Sequence, residues 1–267
     1  MSGDARALIF DCDGVLADTE REGHLPAFNR TFEEFGLPVR WSDSEYGRKL
    51  LIGGGKERMA TLFEDSELVE SAGLPTDAED QRELLLDWHR RKTAIYREMV
   101  EEGLLPPRPG VARLVEEAAD AGWQLAVAST SAEESVRAVL ERAVGASRAS
   151  DFAVFAGDVV PAKKPDPAIY ELTLQAIGVE AEDAVVVEDS RNGLLAAVGA
   201  GLPCLVTVSS YTGEEDHSEA QLVVSDLGEP ERPMRVLANR SAASPDGHVT
   251  VNDLQAILEG TTHEERG

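Results

Sequence analysis

Four short segments of this sequence carry side chains suited to binding a divalent metal and an anion. The first, Leu8-Ile9-Phe10-Asp11-Cys12-Asp13-Gly14, sets two carboxylates two residues apart at the end of an apolar run. In an extended chain alternate side chains share a side, so Asp11 and Asp13 face one way and Cys12 the other. Gly14 then allows the chain to turn tightly. Two close carboxylates repel unless a cation or a proton lies between them, which points to a bound divalent metal. The second segment, Ala126-Val127-Ala128-Ser129-Thr130-Ser131, ends an apolar run in hydroxyls just before a helical pattern. Hydroxyls and backbone N–H groups at such a junction make an anion site. The third, Lys163-Lys164-Pro165-Asp166-Pro167, places lysines before a proline and a helix in a chain with only five lysines, a position suited to pinning an anion. The fourth, Val185-Val186-Val187-Glu188-Asp189-Ser190, again ends an apolar run in two acids. Together with Asp11 and Asp13 these acids would build an oxygen-rich site suited to Mg2+. Taken singly, each segment has a plainer explanation: an Asp-rich turn, helix N-capping, or a solvated loop charge. Four of them at four run ends, in this order, are hard to obtain by chance.

The elements around these segments must hold them together. Short apolar runs recur at 7–10, 124–128, 152–155, 184–187, 204–208 and 222–224, continuous rather than alternating, as in strands buried on both faces of a parallel sheet. Helical patterns at 111–121, 132–143, 167–177 and 193–200 alternate with them. The expected fold is α/β, a Rossmann-like doubly wound parallel sheet. Ligands of such sheets bind beyond the carboxyl ends of the strands, where all four segments fall. Between Asp18 and Gly103 there is no convincing strand, but Leu25, Phe28, Phe32 and Phe35 recur at spacings of three and four, and 84–100 repeats the pattern. This predicts an α-helical insert over 18–105 in a core made of 1–17 and 106–238. Its exits, 17–19 and the proline-rich 103–110, are short, and the second is stiff, so they read as a hinge. The tail, 239–267, is polar until a final helix opened by a capping box from Thr250 to Asp253. Asp246-Gly247 reads as a turn: as a calcium loop the frame would put Ala242 at the first ligand position and Asp253 where Glu is needed.

Composition narrows the class. The 267 residues carry 25 basic and 50 acidic side chains, a net charge of −25. Such a surface repels nucleic acid and anionic membranes, so neither is expected as a partner. There is no apolar run of about 18 residues and no basic start followed by an apolar stretch, which argues against a membrane span or a secretory leader. The two cysteines, Cys12 and Cys204, sit in no metal-binding spacing and are too few for a disulfide framework. A monomeric, cytoplasmic protein acting on a small molecule is expected.

The ordered set of four segments resembles the haloacid dehalogenase-like phosphohydrolases, over roughly residues 5–235. A narrower set is similar to the CbbY-type branch of that family: Asp11-Cys12-Asp13-Gly14-Val15-Leu16-Ala17-Asp18-Thr19-Glu20, His24, Ala27-Phe28-Asn29, Tyr46-Gly47, the stretch 52–59, and Ala128-Ser129-Thr130-Ser131. The resemblance implies Asp11 as nucleophile, Asp13 as general acid and base, and Ser129, Thr130 and Lys164 as phosphate ligands. It also implies Mg2+ held by Asp11, Asp13, Glu188 and Asp189. The insert then corresponds to a helical cap like that of β-phosphoglucomutase, with Glu20, His24, Gly53, Gly54, Gly55, Lys56 and Arg58 reading the substrate. The implied reaction is dephosphorylation of xylulose 1,5-bisphosphate, an inhibitor of Rubisco. Gly53-Gly54-Gly55-Lys56 is not a nucleotide P-loop, which would need Gly at position 50 and Ser or Thr at 57, where the chain has Leu50 and Glu57. The strong acidity and the segment beyond about residue 240 depart from the family pattern. A phosphomutase using the same core motifs remains an alternative. So does a non-catalytic phosphosugar-binding protein, against which the intact Asp11, Asp13, Lys164 and Asp189 set argues.

Overall fold

Apolar runs without polar interruption leave their backbone groups no partner but one another, and here six such runs pair in parallel. The computed structural model describes residues 5–52 and 54–264. Its strands are β1 (Ala7–Phe10), β2 (Gln124–Ser129), β3 (Phe152–Ala156), β4 (Ala184–Glu188), β5 (Cys204–Thr207), β6 (Leu222–Val224) and β7 (Val236–Asn239). They form one sheet in the order β3-β2-β1-β4-β5-β6-β7. Every neighbouring pair from β3 to β6 is parallel. β7 is not: it returns antiparallel against β6 through a bulge, so the expectation of a wholly parallel sheet is corrected at this edge. The strand escapes pattern reading because Val236 and Leu237 are nearly half exposed and no continuous apolar run marks it.

The chain divides into two compact units, Met1–Asp18 with Pro106–Gly267, and Thr19–Leu105. In the first, β1 and β4 are completely buried, and helices Val111–Asp120, Glu133–Val144, Ala168–Ile177, Arg191–Gly199 and Val251–Glu264 accompany the sheet. Val111, Leu114, Val115 and Ala118 show why: their spacing makes one buried stripe on an otherwise polar helix. Ile9, Val186 and Val206 from adjacent strands pack in one core with Ile169, Tyr170, Leu194 and Ala197. From β1 the chain crosses to β2 on one side, and β4 lies on the other. The crevice beyond β1 and β4 is therefore the switch point at which such sheets bind ligands. The final helix opens as expected, with Asp253 Oδ2 accepting from Thr250 N (2.9 Å) and Thr250 Oγ1 from Asp253 N (3.3 Å).

The second unit contains no strand among its described residues. A five-residue π-helical turn, Glu20–His24, leads into helix Leu25–Glu34, and the 24-residue helix Ala78–Glu101 buries Trp88, Ile95, Tyr96 and Met99. Phe28, Phe32, Trp41 and Tyr46 form an aromatic core, with ring centroids 4.8–6.1 Å apart where Trp41 meets Phe32 and Tyr46. No helix among the described residues of either unit is long and apolar enough to cross a membrane.

Where the chain returns from this insert, Ala17 and Pro107 form an antiparallel bridge, and Arg108 N donates to Leu16 O (2.9 Å). The Arg108 guanidinium then ties together three loops at the carboxyl ends of the strands. It donates to the carbonyls of Gly14, Thr207 (3.0 Å), Val208 (2.7 Å) and Ser225 (2.6 Å). A fork of N–H groups in fixed geometry can serve four acceptors, which a lysine cannot. Replacing it by Met strands these partly buried carbonyls. Arg108→Met is expected to lose about 2–4 kcal/mol in a urea titration with an unchanged slope, while Arg108→Lys recovers only part of the loss.

Candidate active site

At the carboxyl ends of β1 to β4 the four segments come together around one ammonium group. Lys164 Nζ donates to Asp11 Oδ1 (2.7 Å), Glu188 Oε1 (2.6 Å) and Ala128 O (2.9 Å), which uses all three of its protons. Glu188 is fully engaged: Tyr170 Oη donates to its Oε1 (2.6 Å) and Asp189 N to its Oε2 (3.1 Å). The carboxylates of Asp11, Glu188 and Asp189 offer oxygens within 4.8 Å of one another, all three residues being buried. Glycines make room for them. A Cβ on Gly193 would stand 2.0 Å from the Glu188 carboxylate, and one on Gly14, whose φ is +79°, 2.0 Å from Asp189 Oδ2. Asp13 stands outside the group of three, its carboxylate accepting from the Ser131 hydroxyl. Ser129, almost completely buried, accepts from Ser131 N (3.2 Å). Thr130 beside it is half-buried. Lys163 points away, exposed, toward Asp158 (3.4 Å).

This crowding has an electrostatic signature. Burial, with Glu188 and Asp13 adding to it, pushes Asp11 up to about 7 against the opposing pull of Lys164. Burial followed by Glu188 and Asp11 raises Asp189 well above the carboxylate range, against Ser209 and Arg108. For Lys164 burial works against the charge, but Asp11 and Glu188 more than reverse it, and its value rises. Three buried carboxylates against one ammonium leave an excess of negative charge that a divalent cation would relieve. An all-oxygen donor set of this kind fits Mg2+.

In the helical unit Glu20 and His24 stand at the two ends of the π-helical turn rather than one turn apart on an α-helix. Glu20 accepts from Tyr46 Oη, and Arg58 Nη1 donates to the same hydroxyl (3.0 Å) while its Nε donates to Ile52 O (3.0 Å). Glu20 and Arg58 are thus brought together, 3.5 Å apart, by Tyr46. His24 Nδ1 lies 2.8 Å from Lys92 Nζ, and burial, Lys92 and Arg58 hold the imidazole well below its ordinary value. Its Nδ1 is therefore the acceptor. Gly54 adopts φ +100°, and Lys56 is exposed. Gly53 lies outside the described residues.

Comparison with known proteins places this arrangement. Residues 5–201 match the family model described as haloacid dehalogenase-like hydrolase. The chain belongs to the haloacid dehalogenase-like hydrolases. Within them it falls on the CbbY-type branch. It is 48% identical to a CBBY-like protein of Arabidopsis thaliana over 84% of this chain and 70% of that one. It is 41% identical to the plasmid CbbY of Cupriavidus necator over 86% of this chain and 88% of that one. A crystal structure of an Asp→Asn mutant of Rhodobacter sphaeroides CbbY, in complex with xylulose-(1,5)bisphosphate, superposes with a TM-score of 0.68 at 38% identity, covering 83% of this chain and 94% of that one.

Several residues that shape this hydrolase's site carry no mark in the sequence. Tyr170 and Arg108 act only across the fold, and Lys92 does so within the insert; Ser131 and Tyr46 stand in the quoted motifs, but their pairing with Asp13 and Glu20 is not visible there. Gly193 is the exception, since a glycine five positions after Glu188, in the first turn of a helix, costs helix stability and calls for a reason. The variant Gly193→Ala must displace Glu188, and a loss of about 2–4 kcal/mol is expected from chemical denaturation. In the helical unit, His24 has a folded-state value below its unfolded value of about 6.5, so its share of stability is complete above that pH and is lost as the pH falls through it. Melting temperatures of His24→Gln should accordingly fall less than those of the parent between pH 7.5 and pH 5.5.

Proposed function

We propose that this phosphatase removes one phosphate from xylulose 1,5-bisphosphate, through an aspartyl phosphate on Asp11 and with Mg2+ as cofactor. The observation that carries the chemistry is the state of Asp11: Lys164 holds Oδ1, and Oδ2 is left without a hydrogen bond among the described residues. A carboxylate with one oxygen anchored has a fixed rotamer and a defined attacking atom. Its raised value has the same origin as the crowding around it, and Lys164 keeps charge on the anchored oxygen.

In the first step Asp11 Oδ2 attacks phosphorus in line, the bond from phosphorus to the sugar oxygen breaks, and protonated Asp13 gives its proton to that oxygen. Ser131, donating to Asp13 Oδ2, sets the orientation of this acid. In the second step Asp13, now ionised, takes a proton from water as the water oxygen attacks phosphorus; the bond to Asp11 breaks and inorganic phosphate leaves. Lys164 and the hydroxyl and backbone groups at Ser129 and Thr130 offset charge on the transferring group. Asp11, the Asp13 carbonyl and Asp189, with Glu188 nearby, would hold Mg2+, which would supply further positive charge against the phosphoryl group. Glu20, His24, Gly53, Gly54, Gly55, Lys56 and Arg58 of the helical unit are assigned to substrate recognition. The choice of substrate is supported by the likeness to CbbY, which has been solved with that bisphosphate. Two free, buried cysteines suit a reducing, cytoplasmic setting.

The test is phosphate release from xylulose 1,5-bisphosphate, ribulose 1,5-bisphosphate, fructose 1,6-bisphosphate and β-glucose 1-phosphate, with and without EDTA. Preference for the first, loss of release in EDTA, and inactivity of Asp11→Asn are expected. Asp13→Ala should slow release by roughly 10²–10⁴-fold. Full activity in Asp13→Ala would remove that residue from acid–base duty. Isomerisation of β-glucose 1-phosphate without net phosphate release would replace the phosphatase with a mutase.

A further inference from the structure

Lys164 Nζ spends its three protons on Asp11 Oδ1, Glu188 Oε1 and the Ala128 carbonyl, so none is left for a phosphoryl oxygen. To offset charge on the transferring group it must give up one of these bonds. The acceptor it leaves stays buried, and a buried acceptor stripped of its donor is costly, a carboxylate most of all. The three acceptors differ in what remains to them. Among the described residues no other side chain donates to Asp11 Oδ1 or to the Ala128 carbonyl. Release of Asp11 would also free the rotation that aims the nucleophile. Glu188 Oε1 is the exception, because Tyr170 Oη donates to the same oxygen (2.6 Å) as Lys164 Nζ does (2.6 Å).

Of these three side chains only the lysine has freedom to move. Glu188 is tied by its other oxygen to Asp189 N (3.1 Å), and Gly193 closes in behind it, leaving no room even for a Cβ. Tyr170 is fully buried, its ring packed in one core with Ile9, Val186 and Leu194. Lys164 instead stands on the irregular segment between β3 and helix Ala168–Ile177, and carries three rotatable donors on a flexible stem. Its ammonium lies 4.8 Å from the centroid of the Tyr170 ring, a contact with the ring's electron-rich system that a short shift would not break. A movable donor and a fixed donor therefore share one acceptor oxygen.

We infer that Tyr170 is a positioning residue: its hydroxyl keeps Glu188 Oε1 bonded and in place while Lys164 turns one N–H from that oxygen to the transferring phosphoryl group, an inference that rests on the aspartyl-phosphate reading above. No proton changes owner; one N–H···O bond is exchanged for another. The tie to Asp11 is kept throughout, so the attacking oxygen stays aimed while the cation redirects its charge.

The experiment compares the parent protein with Tyr170→Phe, which keeps the ring and loses only the hydroxyl, both in the presence of Mg2+. For xylulose 1,5-bisphosphate kcat should fall about tenfold with KM close to that of the parent, since the hydroxyl is called on only as the phosphoryl group takes up the ammonium. An unchanged kcat, or a loss confined to KM, overturns the inference. The exchange is read without turnover in parent protein labelled with carbon-13 at tyrosine Cζ, the Tyr170 signal being the one missing from Tyr170→Phe. Saturation with orthovanadate, a mimic of the transferring group, should move that signal as the hydroxyl is left the only side-chain donor on Glu188 Oε1. A tyrosine with a merely structural role would leave the signal in place while orthovanadate inhibits, and that outcome overturns the inference whatever the kinetics. A parent protein that traps no phosphate on Asp11 in a rapid acid quench, while the Tyr170 signal still moves with orthovanadate, would strike the aspartyl-phosphate reading and leave the exchange standing.

Discussion

A single ammonium group organises the carboxyl end of the sheet. Lys164 joins the residue after β1, the last residue of β4 and a carbonyl of β2, so three strand ends converge on one donor. Taking one partner away would leave an uncompensated charge in a buried setting, a larger penalty than the pair is worth when intact. The rest of the site can be understood as what this cluster requires. Tyr170 and the Asp189 amide satisfy the remaining capacity of Glu188, and Gly14 and Gly193 leave the space that two carboxylates occupy. Arg108 fastens the loops that carry them. Its four carbonyl partners lie in three loops far apart in sequence.

The charge balance of the chain divides its cations by task. Several arginines sit in exposed pairs or forks with carboxylates: Arg91 with Glu34 and Glu98, Arg148 with Glu116 and Asp151, and Arg191 with Glu219. Pairs of this kind add little stability each, but they temper the repulsion within a surface of net charge −25. Lysines are rare, and Lys92 and Lys164 are buried among polar partners. A compact ammonium serves where three acceptors converge, and a planar guanidinium where carboxylates or carbonyls lie side by side.

Much of this was legible in the linear sequence, for a physical reason. Strands buried on both faces must be apolar throughout, so β1, β2, β3, β4 and β6 stand out with boundaries within one residue. β5 ends at Thr207 rather than Val208, although Val208 N still bonds to Val224 O (3.0 Å). Acids and hydroxyls at the ends of such strands stand out against the apolar runs before them, which is why Asp11, Glu188, Asp189 and Lys164, which the structure brings together, could be named. What escaped depends on closeness that only folding creates. The partnership of Ser131 with Asp13 spans 118 residues, and that of Tyr46 with Glu20 spans 26. β7 escaped because an edge strand with exposed side chains has no apolar signature, and the π-helical turn because its spacing imitates an α-helix over five residues.

The bridge between Ala17 and Pro107 bears on how such a chain could have arisen and how it could be rebuilt. The two strand-like segments that lead into and out of the insert are already zipped together within the α/β unit, with the Arg108 amide bonded to Leu16 as a second rung. The gap left by removing residues 19–105 is therefore no wider than a hairpin, and a tight turn would close it. The α/β unit can thus be treated as an uninterrupted polypeptide carrying a cassette. Exchange of that cassette would leave the zipped segments, and the strand ends beyond them, as they stand.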